Sequence, residues 1–114
     1  MPTVKRKRPA GLGAAGRALW DGNIDGFEWA AHEVALLEEA CRVRDRIVEL
    51  DAAVKSDGLM LTSSQGMRVH PGVAEGRQQR LALARLLVSL GIPADGEDLP
   101  PSRGVRGVYR LGLH

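Results

Sequence analysis

The side chains of this chain that could act as a nucleophile, a base or a metal ligand are Cys41, His32, His70 and His114. None of the histidines has a cysteine or an acid at the spacing of a metal site. A pair of Cys41 and His70 would need an accessible thiolate, yet Cys41 falls on an apolar helical stripe, which favours a core position. There is also no glycine-rich loop followed by Lys and Ser or Thr for nucleotide phosphates. The sequence therefore predicts no enzyme, no cofactor and no metal.

Positive charge is the main chemical feature of the N-terminus. Lys5, Arg6, Lys7 and Arg8 follow one another without an acid. A cluster of this kind binds the phosphates of a nucleic-acid backbone without reading bases. The alternative is a tail that only keeps the protein soluble. We interpret residues 1–8 as a flexible basic arm and expect it to contact DNA.

The remaining charge is divided unevenly along a chain whose formal net charge is +2. Residues 21–57 hold ten acids and four bases, whereas residues 58–94 hold one acid and four arginines. The two segments are therefore electrostatically complementary, and three further arginines make the C-terminus basic again.

A stretch without Gly or Pro, residues 31–55, predicts one long helix. Its apolar residues form two stripes, about 130° apart around the helix axis. The first stripe is Leu36, Ala40, Val43, Ile47, Leu50 and Val54. The second stripe is Val34, Leu37, Cys41 and Val48. A helix with two apolar faces needs two packing partners.

A second helix is predicted over residues 71–90, because Pro71 is favoured at a first helical position and Gly91 at a helix end. It also has two stripes, one of Ala74, Leu81, Ala84 and Val88 and one of Leu83, Leu86, Leu87 and Leu90. Between the helices, residues 59–62 and 67–70 flank a four-residue turn, which indicates a β-hairpin. Gly58 is expected to end the long helix in a left-handed C-cap conformation. His70 is expected to accept a hydrogen bond from the second helix's first turn, or to pack over it.

These elements predict a mainly α fold. We expect a short N-terminal helix within residues 11–20, then a long antiparallel helical hairpin with a small β-hairpin at its connection, and flexible basic termini. Phe27 and Trp29 should fold with Trp20 onto the start of the long helix. We divide the chain into the basic arm (1–8), a helical oligomerisation core (9–93), and a linker with a C-terminal tail (94–114).

One stripe of each long helix can close the hairpin, which leaves two stripes for other chains. We expect the first stripe of the long helix to face the chain's own second helix and the other to face a neighbouring subunit, although the two could be exchanged. The predicted oligomer interface is Val34, Leu37, Cys41, Val48, Leu83, Leu86, Leu87 and Leu90. Dimers and rings satisfy this pattern equally.

The C-terminal tail alternates basic, glycine and apolar residues. Its apolar positions, which we expect to bind a protein partner, are Val105, Val108, Tyr109 and Leu111. They could add as a strand to a partner's sheet edge, or the segment could follow DNA. The sequence has no apolar run of membrane-spanning length, and its charged N-terminus leads us to expect no signal peptide. The single cysteine suits a reducing, intracellular setting.

Four segments occur in this order along the chain: Gly11-Leu-Gly-Ala-Ala-Gly-Arg-Ala-Leu-Trp20, Glu33-Val-Ala-Leu-Leu-Glu-Glu-Ala-Cys41, Asp57-Gly-Leu-Met-Leu-Thr62, and Val69-His-Pro-Gly-Val-Ala-Glu-Gly-Arg-Gln-Gln-Arg-Leu-Ala-Leu-Ala-Arg-Leu-Leu-Val-Ser-Leu-Gly91. In these segments the chain resembles the terminase small subunit of tailed bacteriophages, in particular the short form common in phages of actinobacteria. The resemblance covers about residues 9–93.

The resemblance implies a homo-oligomeric ring in the host cytoplasm that recognises viral double-stranded DNA. The ring would deliver that DNA to the terminase large subunit, which carries the ATPase and the nuclease, and would regulate it. Many small terminases carry an N-terminal helix-turn-helix, but residues 9–30 are too short and too rich in glycine for one. DNA contact is therefore expected from Lys5 to Arg8 together with Arg17. A helical adaptor that does not bind DNA is the alternative.

Overall fold

One uninterrupted helix dominates a mainly helical fold. The computed structural model describes residues 6–93. The elements are α1 (Ala14–Asn23), α2 (Ala31–Asp57), β1 (Met60–Ser63), β2 (Gly66–Val69) and α3 (Pro71–Leu90). This confirms the predicted order of a short helix, a long helix, a two-stranded hairpin and a second long helix. The predicted tail and the arm residue Lys5 lie outside the described residues.

Helix α2 is defined at both ends by local hydrogen bonds. At its start, the backbone N–H of Ala30 donates to Glu33 Oε1 at 2.7 Å, which satisfies a donor that the first turn leaves unpaired. At its end, Gly58 N–H donates to Val54 O at 2.8 Å. Gly58 has φ +95° and ψ 147°, so its φ is positive as expected but its ψ is extended. The predicted left-handed cap is therefore corrected: Gly58 turns the chain directly towards β1.

The β-hairpin is tighter than the sequence predicts. Its strands are antiparallel, and the last residue pair is Ser63 with Gly66, so the turn between the strands has two residues rather than four. The Ser63 hydroxyl donates to Gly66 O at 2.6 Å and accepts from Gln65 N–H at 3.3 Å. Gly66 has φ +108°, a conformation that favours glycine. These contacts make Ser63 and Gly66 a pair of the β-ladder rather than part of the turn.

His70 joins the end of α2 to the start of α3. Its Nδ1 accepts a hydrogen bond from Gly72 N–H at 2.8 Å, and its Nε2 lies 2.9 Å from Asp57 Oδ2. Since Nδ1 accepts, Nε2 carries the proton and donates to the carboxylate. Pro71, which has no N–H to satisfy, occupies the first helical position. The expected role of His70 at the first turn of this helix is confirmed.

Helix α3 runs antiparallel along one face of α2. Near its start, a Cβ on the buried Gly72 would lie only 3.0 Å from Val54 Cγ2, so glycine permits the close approach. Further along, Arg80 Nη2 lies 2.6 Å from Asp51 Oδ2. Gly91 takes the left-handed conformation at φ 74° and ψ 23°, and Ile92 N–H donates to Leu87 O at 2.9 Å. This is the predicted glycine stop of the second helix.

Helix α1 covers the other apolar face of α2. The buried core between them is formed by Leu12, Trp20, Ile24, Leu37, Cys41 and Leu90. Trp29 packs against this core, and its Nε1 donates to Ile24 O at 3.0 Å. The rings of Phe27 and Trp29 have centroids 5.0 Å apart. The expected aromatic cluster at the start of the long helix is confirmed.

The position of α1 corrects part of the predicted oligomer interface. Leu37, Cys41 and Leu90 are 0% exposed within one chain, so they cannot present apolar surface to a second chain. Val34 is half-buried against the same core. Four residues on the inner side of α3, Leu83, Leu86, Leu87 and Leu90, are partly or fully buried. They share the helix face of the buried Gly72 and Gly76. Only Val48, at 43% exposed, stays open.

The carboxylate of Asp45 holds the start of α1 on α2. It accepts hydrogen bonds from Gly13 N–H and Gly16 N–H, each at 2.7 Å. These are donors at a helix N-terminus, where a negative charge is stabilising. A Cβ on Gly16 would lie 2.8 Å from Cys41 O and would overlap the carboxylate. Gly11 has φ +83° and Gly13 is extended, so α1 begins at Ala14 rather than at Gly11.

Replacing Asp45 with alanine should destabilise the fold by about 1–3 kcal/mol, because two N–H donors lose a charged acceptor. The measurement is the midpoint of urea unfolding. Asp51→Ala is the matched control, since it removes an exposed ion pair with Arg80 and should cost less than about 1 kcal/mol. Equal losses in the two variants would show that Asp45 does no more than an ordinary surface acid.

Candidate nucleic-acid interface

The chain leading out of α1 towards the basic arm is fixed by three contacts. Arg42 on α2 donates through Nη1 to Ala10 O at 3.2 Å. Leu12 is buried in the core between α1 and α2. Arg17 donates through Nη1 to Leu12 O at 2.6 Å. The direction in which residues 6–9 leave the fold is therefore set by folded elements.

The described part of the basic arm lies beside the C-terminal half of α1. Together they enclose an open cavity of about 570 Å³. Its lining is Arg6, Lys7, Arg8, Trp20, Asp21, Ile24 and Asp25. Trp20 and Ile24 are buried residues of the core, so they form an apolar floor. The lining thus places three cations and two acids around one small apolar surface.

One ion pair connects the arm to α1. Arg8 Nε lies 3.6 Å from Asp21 Oδ1, and the two side chains are 48% and 58% exposed. A pair this long and this exposed contributes less than about 1 kcal/mol. The guanidinium of Arg8 therefore remains available to a stronger anion.

Arg17 lies on α1 one turn before Asp21, on the same helix face. Its side chain is exposed, although one of its donors is used by Leu12 O. A guanidinium has five N–H donors, so further donors remain for a phosphate. Of the five predicted DNA-binding residues, the structure describes Arg6, Lys7, Arg8 and Arg17.

Within residues 6–93, two groups of exposed apolar side chains form contiguous surfaces. The first, the outer α3 stripe, consists of Ala74, Leu81, Ala84 and Val88, on the side away from α2. Leu81 is 53% and Val88 77% exposed. Exposed Arg77 and Arg85 flank this stripe. Residue spacing in the sequence identifies this stripe, but the prediction was that the other stripe of the helix, Leu83, Leu86, Leu87 and Leu90, would face a neighbouring subunit.

The second open surface is one face of the β-hairpin. Met60 pairs with Val69, and Met67 stands two residues before Val69, so all three side chains lie on one face. They are 43%, 52% and 62% exposed for Met60, Val69 and Met67. A two-stranded hairpin with an uncovered apolar face is marginal in water. This face is the second candidate contact surface.

Sequence reasoning did not find Asp21, Asp25 or Asp45 as functional neighbours. Asp21 stands four residues after Arg17, which is a helical spacing that could have drawn attention to it. Nothing local links Asp45 to Gly13, because the contact spans 32 residues. These acids are recognised as neighbours of the site only in the folded chain, where Asp21 and Asp25 lie beside the arm and Asp45 lies at the start of α1.

The Cys41 thiol is unreactive in the folded chain. It is 0% exposed, and burial raises its pKa to about 12, with further upward contributions from the carboxylates of Asp45 and Glu38. Only the thiolate is a good nucleophile. Near neutral pH this residue is therefore a small apolar core side chain.

In residues 6–93, no helix is long and apolar enough to cross a membrane. Across that same range, no three His, Cys, Asp or Glu side chains are grouped so that they could hold a metal ion. No protein-family model, curated protein or solved structure matches the chain. The functional interpretation therefore depends on this chain's own residues and on the resemblance of the four segments.

In the folded protein at pH 8, Cys41 should react with Ellman's reagent at least about 100-fold more slowly than in the urea-unfolded chain, whose thiol pKa returns to about 8.5. The release of the coloured thiolate product measures both rates. Rapid reaction of the folded protein would contradict the buried position of this thiol.

Proposed function

We propose that this protein is a non-enzymatic DNA-packaging subunit of the small-terminase type. It forms a homo-oligomer, binds viral double-stranded DNA through the basic arm and Arg17, and delivers that DNA to the large subunit in the host cytoplasm. The binding is to phosphates, which gives affinity without sequence reading. No metal or cofactor is part of the proposal.

The observation that carries this proposal is where the four resembling segments lie. Residues 11–20 provide the start of α1, and residues 33–41 provide the α2 surface beneath it. Residues 57–62 connect α2 to β1, and residues 69–91 contain α3. Five of the six buried residues that form the core around α1 lie in these segments, and Ile24 is the sixth. The resemblance therefore coincides with residues that hold α1 on the rest of the fold.

The charges support DNA as the ligand. Three consecutive cations, Arg6, Lys7 and Arg8, lie at an exposed edge, and Arg17 adds a fourth on α1. The short reach of the arm from Ala10 keeps these charges close to the folded core, since Arg42 holds that carbonyl. A row of phosphates has the charge and the spacing to engage several of them together.

The outer α3 stripe supports self-association between unlike surfaces. If two copies packed these stripes against each other antiparallel, centred on Leu81, Arg77 of one copy would approach Arg85 of the other. Neither arginine has an ion pair or a side-chain hydrogen bond within residues 6–93, so no acidic partner in that range offsets the repulsion. A contact between two different surfaces avoids it, and such contacts form a ring when the rotation from one subunit to the next closes.

The exposed methionines of the β-hairpin favour the second candidate, a helical adaptor that bridges proteins. Met60 and Met67 offer a flexible apolar surface of the kind used at adaptable protein contacts. In this case the basic arm would be a solubility device. A gel shift at low salt separates the two functions, because the adaptor would not retard double-stranded DNA.

The triple variant Arg6→Gln, Lys7→Gln and Arg8→Gln should bind double-stranded DNA more weakly, with a shallower dependence on salt. Each lost phosphate contact lowers the log–log salt slope by about 0.9, so the slope should fall by about 2 to 3. Fluorescence anisotropy of labelled DNA between 50 and 200 mM salt, roughly the range in which such slopes are resolved, measures it.

The matched control for this variant is Arg44→Gln, Arg46→Gln and Lys55→Gln. It removes the same charge from exposed positions on α2 that lie away from the arm's cavity. It should change the slope little. An equal loss of slope in both variants would mean that DNA binding depends only on the overall charge of the protein. The arm would then not be the DNA-binding site.

The double variant Leu81→Asp and Val88→Asp should shift the protein from oligomer towards monomer at micromolar concentration, because charge on the outer α3 stripe would be buried on assembly. Multi-angle light scattering gives the mass, and far-UV circular dichroism checks that the helices persist. Met67→Asp serves as the comparison for the hairpin face. A wild-type protein that is already monomeric would remove the homo-oligomer from the proposal.

A further inference from the structure

We infer that Asp21, in the last turn of α1, and Asp25, in the turn that follows the helix, compete with DNA for the basic arm, by holding it against the fold until the phosphates of DNA displace them. The inference rests on the proposed DNA-binding function and adds a regulation of that same site. Its physical basis is the ion pair between Arg8 and Asp21 and the position of Asp25 in the same cavity as Arg6, Lys7 and Arg8.

The fold positions the arm beside these acids. Arg42 fixes Ala10 O and Arg17 fixes Leu12 O, so the arm leaves the core at a defined place. From there, residues 6–8 pass the end of α1 and share one cavity with both acids. Within this cavity, Arg8 Nε lies 3.6 Å from Asp21 Oδ1.

The cavity suits the stems of basic side chains as well as their charges. Its floor is the core residues Trp20 and Ile24, and long basic side chains lay their methylene groups on such surface while keeping the charge in water. Asp21 meets the charged end of Arg8, and Asp25 adds a second acid to the same cavity. Apolar and ionic contacts thus act in the same place.

Two effects oppose DNA at this site. Arg8 must leave Asp21 to pair with a phosphate, and the freed carboxylates of Asp21 and Asp25 then repel the phosphates near them. Both effects are coulombic at exposed groups, so salt screens both. The competition is therefore strongest at low salt and favours ligands with a high density of phosphates over isolated anions.

The test is the double variant Asp21→Asn and Asp25→Asn, with the isosteric amides keeping size and polarity. It should bind a labelled double-stranded DNA about 3- to 10-fold more tightly at low salt, as expected for the loss of one exposed ion pair and of two repulsive charges. The gain should disappear near 0.5 M salt, where the Debye length is only about 4 Å.

The matched control is Glu39→Gln and Glu49→Gln, which removes two exposed acids from α2 outside this cavity. It should leave the affinity within about 2-fold of wild type. An equal gain in the control would overturn the inference, because overall charge would explain it. Equal affinities of wild type and the Asp21/Asp25 variant would overturn it too, while leaving the proposed function intact.

A readout without DNA separates the inference from the proposed function. Trypsin should cleave after Lys7 about 3-fold faster in the Asp21/Asp25 variant than in wild type at low salt, since the arm is no longer held. An unchanged rate would overturn the inference even if DNA binding tightened. If neither protein bound DNA at any salt, the proposed function and the competition would both fall, whatever the cleavage rates.

Discussion

The charged hydrogen bonds from Gly13 and Gly16 to Asp45 decide which surfaces of this protein face inwards. A carboxylate in the middle of α2 takes the place of the N-terminal cap that α1 lacks in its own sequence. With its start held there, α1 lies over Leu37 and Cys41 and buries them fully. Both faces of the long helix are then occupied within one chain, one by α1 and the other by α3. The apolar surfaces that stay exposed are those that neither of these two packing contacts covers.

The glycines that weaken the helical signal of residues 11–20 are required by the same contact. Gly16 has no space for a Cβ beside Asp45 and Cys41 O, so glycine's cost to the helix is offset by a closer approach between α1 and α2. A similar trade occurs at Gly72, where α3 meets Val54. Small residues placed where helices cross therefore set the spacing of the bundle, and the larger apolar side chains fill the space between the crossings.

Sequence reasoning succeeds here where the signal is local and fails where it is not. Helix α3 begins at Pro71 and ends at Leu90 as predicted, because proline, the His70 cap and Gly91 act on adjacent residues. The turn of the β-hairpin is shorter than predicted, since the Ser63 hydroxyl is satisfied by its own turn. The two stripes of α3 are visible from spacing, yet spacing cannot say which one is inside. That choice depends on how α3 packs on α2, for example where Gly72 meets Val54, 18 positions earlier in the chain.

The candidate DNA site shows why net charge is a poor guide to binding by this chain. A net charge of +2 would predict little attraction to DNA, whereas the four adjacent cations of the arm would predict strong attraction. The fold modifies both expectations, because it places Asp21 and Asp25 beside three of those cations. The arm's attraction for an anion is thus reduced by groups of the same chain, and the reduction depends on salt and on how closely the anion's charges are spaced. Local charge placed by the fold, rather than the total, sets how strongly and how selectively such an arm can engage a phosphate backbone.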